Sequence, residues 1–431
     1  CHSGKTGRVL QGSPWRVGLD CIYEGIRCQK TASSENIQKG PQAPFRHKEE
    51  NCKMRIAIVT LPLHTNYGGI LQAYALKTYL ESLGHQVTVL DREVKMPLPP
   101  LWKAPFVYAK RALQRMAKGQ AGPVVFRELR FRRDFPVISA NTQKFVDDLI
   151  SPRLIKRYKD IKEGEYDAFV VGSDQVWRPR YFGRIDDAFL AFAKDWDVLR
   201  VAYAASFGTD HLEYEYMQVQ ECASLLETFD GVSVREDAGV LMCREWFDCE
   251  KAVQVLDPVM LLDRSVYEHI ASRVTGHPAK GKVVSYILDS SKEKKNVLDF
   301  MLRVSGLQHY DLSTRSEDLT RPVSERVVPP LEEWLAGFAD AGYVVTDSFH
   351  GCVLSILFHK PFVAVGNSRR GMSRLQSLLS QFDLDMRLVH GIDPEDDGEF
   401  FLSPPDWDAV DAILETERDK SRRFLMDSLH K

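Results

Sequence analysis

The sequence predicts an open α/β protein made of two successive parallel-sheet domains. Three observations carry that expectation. From Met54 onward, short apolar strands alternate with amphipathic helices, the pattern of strands joined by helical crossovers. The run Arg55-Ile56-Ala57-Ile58-Val59-Thr60 is a charged entry into a buried strand. Polar and glycine-bearing residues gather where strands end, the position at which open α/β sheets bind ligands. A length of 431 residues accommodates about two or three domains.

The elements follow in order. Strands are expected at 56–60, 87–90, 168–171, 201–204, 231–234 and 253–256. A helix over 69–83 carries Leu71, Ala75, Leu76, Tyr79, Leu80 and Leu83 on one stripe and stops at Leu83-Gly84-His85. Between 97 and 160 the pattern weakens and turns basic, with Lys110, Arg111, Arg115, Lys118, Arg127, Arg130, Arg132 and Arg133; a helical insertion at about 101–160 is expected. A boundary at 263–282 separates a first domain, 54–265, from a second, 282–395. The second domain should hold strands at 283–288, 309–312, 343–345, 361–365 and 387–389, with helices at 294–304, 331–341 and 374–382. A charged helix within 405–431 ends the chain and is expected to pack back on the first domain. Residues 1–53, rich in Lys, Arg, Gly, Ser and Gln and without sustained period, read as a non-native or disordered leader, with Met54 as the natural start.

Composition narrows the classes. A formal net charge of −3 gives no global pull toward nucleic acid. No run approaches the ~20 apolar residues of a membrane span. The eight cysteines contain no C-x-x-C pair, which argues against structural zinc. The four after Met54 suit a reducing cytoplasm. The acidic runs Asp186-Asp187 and 393–397 read as solvated surface rather than metal ligands.

Five loops offer chemistry. The first, His64-Thr65-Asn66-Tyr67-Gly68-Gly69, permits close backbone approach to a ligand but lacks G-x-G-x-x-G and a Walker lysine. The second, Gly172-Ser173-Asp174-Gln175-Val176-Trp177, provides Asp174 as a base for a hydroxyl and Trp177 as a stacking face for a sugar; a helix cap is the plainer alternative. The third is Ala205-Ser206-Phe207-Gly208. In the fourth, Ser233-Val234-Arg235-Glu236-Asp237, an arginine ends an apolar strand, where it needs either a salt bridge or an anionic ligand. The fifth, Thr346-Asp347-Ser348-Phe349-His350-Gly351, sets a carboxylate, a hydroxyl and an imidazole at a strand-to-helix turn, a ready anion site with an acid/base group.

In order and spacing these motifs, with Ile70-Leu71-Gln72 and Ala202-Tyr203-Ala204, resemble the polysaccharide pyruvyl transferase family over 54–388. The resemblance implies a GT-B-like fold, two Rossmann-type domains facing a cleft. It implies phosphoenolpyruvate as donor, a glycan or lipid-linked glycan hydroxyl pair as acceptor, and a pyruvate ketal as product, as in bacterial exopolysaccharide biosynthesis. No cofactor or metal is expected. Arg235 matches a donor-binding arginine and His350 a histidine near the donor. Ser348 stands where some members carry an arginine, so Lys360, Arg370 or Arg374 is expected to supply that cation. Ser348, Gly351, Asn66, Gly68 and Gly69 complete the expected donor pocket, and Ser173, Gln175, Trp177 and Ser206 the acceptor side. His350, Asp174 and Arg235 are the expected catalytic residues. The expected location is cytoplasmic, with 103–133 offering a peripheral contact to the inner membrane face. A nucleotide-sugar glycosyltransferase and a non-catalytic glycan-binding or scaffold protein are the alternatives.

Overall fold

The computed structural model describes residues 53–93, 96, 98–119, 122–366 and 372–430. The expected leader lies outside them, apart from Lys53. The described chain forms two parallel sheets. In the first, β1 (Arg55–Val59) pairs with β2 (Gln86–Arg92) on one side and, across the sheet, with the later strand Ala168–Val171 on the other. β2 continues to β3 (Arg153–Ile155), which makes Ala168–Val171 β4. Beyond β4 come β5 (Leu199–Ala205), β6 (Gly231–Val234) and β7 (Val253–Gln254). The order is β3-β2-β1-β4-β5-β6-β7. The strand β3, in the stretch expected to be a helical insertion, escapes sequence reading because it is short and exposes two of its three side chains at the sheet edge.

The second sheet centres on β8 (Val283–Tyr286), followed by β9 (His309–Asp311), β10 (Tyr343–Thr346), β11 (Phe362–Val365) and β12 (Leu388–Val389). Its order is β12-β11-β10-β8-β9. These orders place a switch in connection direction between β1 and β4 in one sheet and between β8 and β10 in the other. Crevices of open α/β sheets form at such points, outside the carboxyl ends of the strands. The GT-B-like expectation of two Rossmann-type sheets is met.

Seven helices frame the site and its surroundings: α1 (Tyr67–Ser82), α2 (Ala104–Lys118), α3 (Arg127–Ile138), α4 (Leu331–Asp340), α5 (Phe349–Leu357), α6 (Met372–Gln381) and α7 (Trp407–Leu429). One core is continuous from Ile56, Ile58 and α1 to Trp334, Val344 and the apolar residues of α5. Separate clusters cover the opposite face of each sheet. Across the two sheets, Tyr67 stacks on Trp334 with ring centroids 4.9 Å apart and donates to the Pro329 carbonyl at 2.8 Å. The terminal helix α7 returns to the first sheet: Arg418 Nε donates to the Met260 carbonyl at 2.7 Å, and Ser421 Oγ accepts from the Leu256 amide at 2.9 Å. Leu425 and Leu429 of α7 join the core. Among the described residues no helix is long and apolar enough to cross a membrane.

Candidate active site

The two switch points meet. His350 enters from the first turn of α5, whose N-cap Ser348 accepts from the Gly351 amide at 3.4 Å. The His350 ring lies against α1 of the other sheet at Gly68. A Cβ on Gly68 would collide with His350 Nδ1, so only glycine permits the approach. Nε2 of His350 is buried with no hydrogen-bond partner among the described residues, 3.6 Å from Asp257 Oδ2.

Arg235 directly follows β6 and is buried. Its guanidinium donates to Asp257 Oδ2 at 2.7 Å and to Asp174 Oδ1 at 3.4 Å. It also lies 4.1 Å from the centroid of the Phe349 ring, within cation–π range. Its Nε has no acceptor among the described residues. Burial alone would lower the Arg235 pKa, but Asp257, Asp174 and Glu236 outweigh it and hold it above the ordinary value. Burial likewise pushes the Asp257 carboxyl upward, yet His350 and Arg235 hold it well below the usual carboxylate range. The chain of contacts therefore runs from the second sheet through His350, Asp257 and Arg235 to Asp174.

Asp174 follows β4 with φ +63°, a left-handed conformation that costs a non-glycine residue some strain. Its other oxygen accepts from Asn66 Nδ2 at 3.3 Å, and Gly69 packs beside both groups. Glu236 is wholly buried. Its Oε1 accepts from Ser206 Oγ at 2.8 Å and from the Phe207 amide at 3.0 Å, whereas Oε2 has no partner among the described residues. Burial pushes the Glu236 carboxyl up. Arg374, on α6, reaches the same cluster: burial first, then the neighbouring Arg235, pushes its pKa down to about 10. Glu236 and Asp174 partly offset the repulsion between the two guanidiniums.

Several expected roles move. Lys360 stands past the far end of α5, where Asp340, Arg264 and Glu268 are its charged neighbours; it does not supply the missing cation. Arg374 lies at the cluster, and Arg370 lies outside the described residues. Trp177 is a core residue, stacked 4.9 Å from Phe189 with Nε1 donating to the Ala188 carbonyl, and offers no sugar-facing surface. Ser173 Oγ donates to the Ala204 carbonyl at 2.6 Å, and its amide to Gln72 Oε1 at 2.8 Å. Gln175 Oε1 accepts from Arg178 at 3.0 Å and packs over Gly208. These residues and Ser206 brace the loops rather than line a ligand surface. Asp347 does not join His350. It accepts from the Leu288 amide at 2.7 Å and from Lys294 Nζ at 2.6 Å, tying the β8 and β10 loops together.

Asp257 was not singled out by sequence. Its signal is an Asp-Pro step just after an apolar run, where Asp257 Oδ1 caps a short turn by accepting from the Val259 amide at 3.0 Å. Lys294 carries no such signal on its helix. A separate cavity of about 1000 Å³ is walled in part by Leu63 and His64 of the loop after β1. Its walls include His64, Asp91, Glu93, Phe131, Phe135 and Asp147. Phe131 stacks on Phe135 at 4.5 Å, and the His64 ring meets Phe135 edge-on at 5.8 Å. Burial pushes His64 down to about 4, leaving a neutral ring at pH 7.

The contact at Gly68 makes a sharp prediction. Gly68→Ala must displace the His350 ring, and displacement of a reacting group by ~1 Å costs about a hundred-fold in turnover. Circular dichroism should show an unchanged fold while the rate falls; an unchanged rate would remove His350 from the chemistry.

Comparison with known proteins gives similar structures and a family. Among solved structures, similar chains include a Listeria monocytogenes protein described as a UDP-N-acetylglucosamine 2-epimerase, at 10% identity and TM-score 0.45, covering 86% of this chain and 91% of that one. UDP-GlcNAc 2-epimerase of Neisseria meningitidis is 8% identical with TM-score 0.43, over 84% of this chain and 99% of that one. HepE of Anabaena is 9% identical with TM-score 0.43, over 88% and 98%. No curated protein matches the sequence. The family model of the polysaccharide pyruvyl transferases matches residues 66–369, a span that holds Asn66, Asp174, Arg235, Asp257 and His350, and the chain belongs to that family.

Proposed function

We propose that this transferase moves the pyruvyl group of phosphoenolpyruvate onto two hydroxyls of a glycan, forming a cyclic ketal and releasing phosphate. The observation that carries the reading is the buried cluster of His350, Asp257 and Arg235, in which Nε2 of His350 makes no hydrogen bond among the described residues and lies 3.6 Å from Asp257 Oδ2. A buried polar atom without a partner calls for a ligand. The donor bears a phosphate and a carboxylate, and Arg235 and Arg374 supply the opposing charge. Donor entry requires the two sheets to part, because His350 is closed onto Gly68.

The steps balance with the residues present. Protonated His350 gives its proton to the terminal carbon of the enol, and Asp257 stabilises the imidazolium that delivers it. The first acceptor hydroxyl adds at the adjacent carbon, with Asp174 taking its proton. The carbon–oxygen bond to phosphate then breaks, phosphate leaves with the bonding pair between the arginines, and the second hydroxyl closes the ketal. Of the two hydroxyl protons, one replaces that given to the new methyl and the other leaves with phosphate. No cofactor enters the scheme.

In this reading the acceptor occupies the cavity walled by His64, Phe131 and Phe135. Aromatic faces such as Phe131, Phe135 and neutral His64 stack on the apolar faces of sugar rings, and carboxylates such as Asp91 and Glu93 accept from sugar hydroxyls. This replaces the acceptor role expected of Ser173, Gln175, Trp177 and Ser206.

Incubation with phosphoenolpyruvate and a panel of glycans should release phosphate only when the correct acceptor is present. His350→Ala and Asp174→Asn should each lower that rate about 10²–10⁴-fold. Nucleotide release from a nucleotide sugar would identify a glycosyltransferase instead, and glycan binding without turnover of any donor a binding module. Phe135→Ala should raise the KM for glycan about ten-fold, the worth of one stacking contact, without changing the KM for phosphoenolpyruvate. Equal effects on both would overturn the cavity assignment.

A further inference from the structure

The helix α2 is amphipathic with its apolar face outward. The side turned to the protein carries Tyr108, Arg111 and Arg115. Arg111 grips both oxygens of Glu128 at 2.9 Å, and Arg115 donates to the Gly122 carbonyl at 3.3 Å. The Tyr108 ring lies 4.8 Å from Phe126. On the opposite side, positions 106, 109, 113 and 116 fall on one stripe, as i, i+3, i+7 and i+10 do on a helix. Phe106 is 77% exposed, Leu113 66% and Met116 83%. The turn before the helix adds Leu101 at 93% and Trp102 at 72%. No described residue of α2 is buried.

A helix that merely decorates a water-facing surface hides its apolar stripe and shows its charges. The reverse arrangement requires cover for the stripe. The charges beside it say which cover. Lys103, Lys110 and Lys118 are exposed along its edge, and residues 101–119 contain no acid. The Lys103 ammonium sits 4.5 Å over the Trp102 ring, pairing a cation with an aromatic side chain of the kind that settles at lipid headgroup level. Two copies of α2 meeting face to face would bring these lysines toward their own kind, a repulsion that anionic headgroups replace with attraction.

We propose that α2, with Leu101 and Trp102, lies in the headgroup layer of an anionic lipid bilayer and attaches the protein to its surface. The protein is held on the membrane rather than in it, through an apolar stripe and a cationic rim. The next helix in sequence is α3, whose Phe131 and Phe135 line the cavity beside His64. The proposal does not rest on the transfer reaction and stands or fails separately from it.

The test is flotation of the full chain with vesicles of phosphatidylcholine alone or mixed with phosphatidylglycerol. Binding is expected to the mixed vesicles, to weaken with added salt, and to shift fluorescence to the blue by an amount reduced in Trp102→Phe. Phe106→Ser with Met116→Ser, and separately Lys110→Glu with Lys118→Glu, should each weaken binding about ten-fold or more. Both pairs are exposed, so the melting temperature should not move. No binding to anionic vesicles, or equal binding by these variants, overturns the proposal. So does self-association by sedimentation that the Phe106→Ser, Met116→Ser pair abolishes, which would assign the face to a second copy.

Discussion

Arg235 is a guanidinium in the protein interior, and much of the site follows from satisfying it. Water is unavailable to it, so carboxylates must come to it. Asp257 and Asp174 do so from two loops of the first sheet. Asp257 also faces the imidazole of His350, which approaches it from the other sheet to 3.6 Å. Removing one member would leave a buried charge uncompensated, which in proteins costs about 3–5 kcal/mol. The cluster thus ties the two sheets together across their facing loops. Glycine at position 68 is its steric counterpart, since it gives the ring a place to rest.

Around that cluster a ring of polar residues holds loops rather than ligands. Asp347 and Lys294 fasten the β8 and β10 loops. Glu236 collects Ser206 and the amides of Phe207 and Gly208. Gln72 bridges Thr60 and the Ser173 amide. Such bracing holds the loops that carry Asp174 and His350, as the proposed chemistry requires.

The strands and the two-sheet plan were legible because apolar runs and turn residues report backbone pattern directly. The edge strand β3 was not, since exposed side chains give no burial signal. Arg235, Asp174 and His350 stood out because a charged or titratable group at a strand end is conspicuous. Asp257 did not, because its partners are distant in sequence and only the fold unites them. Trp177 and Ser173 misled for the complementary reason. Residue type suggests what a side chain is able to bind, whereas packing decides whether it faces a ligand or a neighbour. Lys360 shows the same limit: it follows α5 in sequence, but a helix length separates it from His350. The basic stretch at 103–133 was legible in charge, yet in α2 the arginines Arg111 and Arg115 turn inward and Phe106, Leu113 and Met116 outward.

In the proposed mechanism His350 delivers a proton to an enol carbon while the arginines hold the departing phosphate. Running the reaction with phosphoenolpyruvate and acceptor glycan in deuterium oxide isolates that step. The expected product is a pyruvate ketal whose methyl group carries deuterium from solvent, formed by the natural chain and not by His350→Ala. Recovery of unmodified glycan with intact phosphoenolpyruvate, or undiminished ketal formation by His350→Ala, would overturn the mechanism.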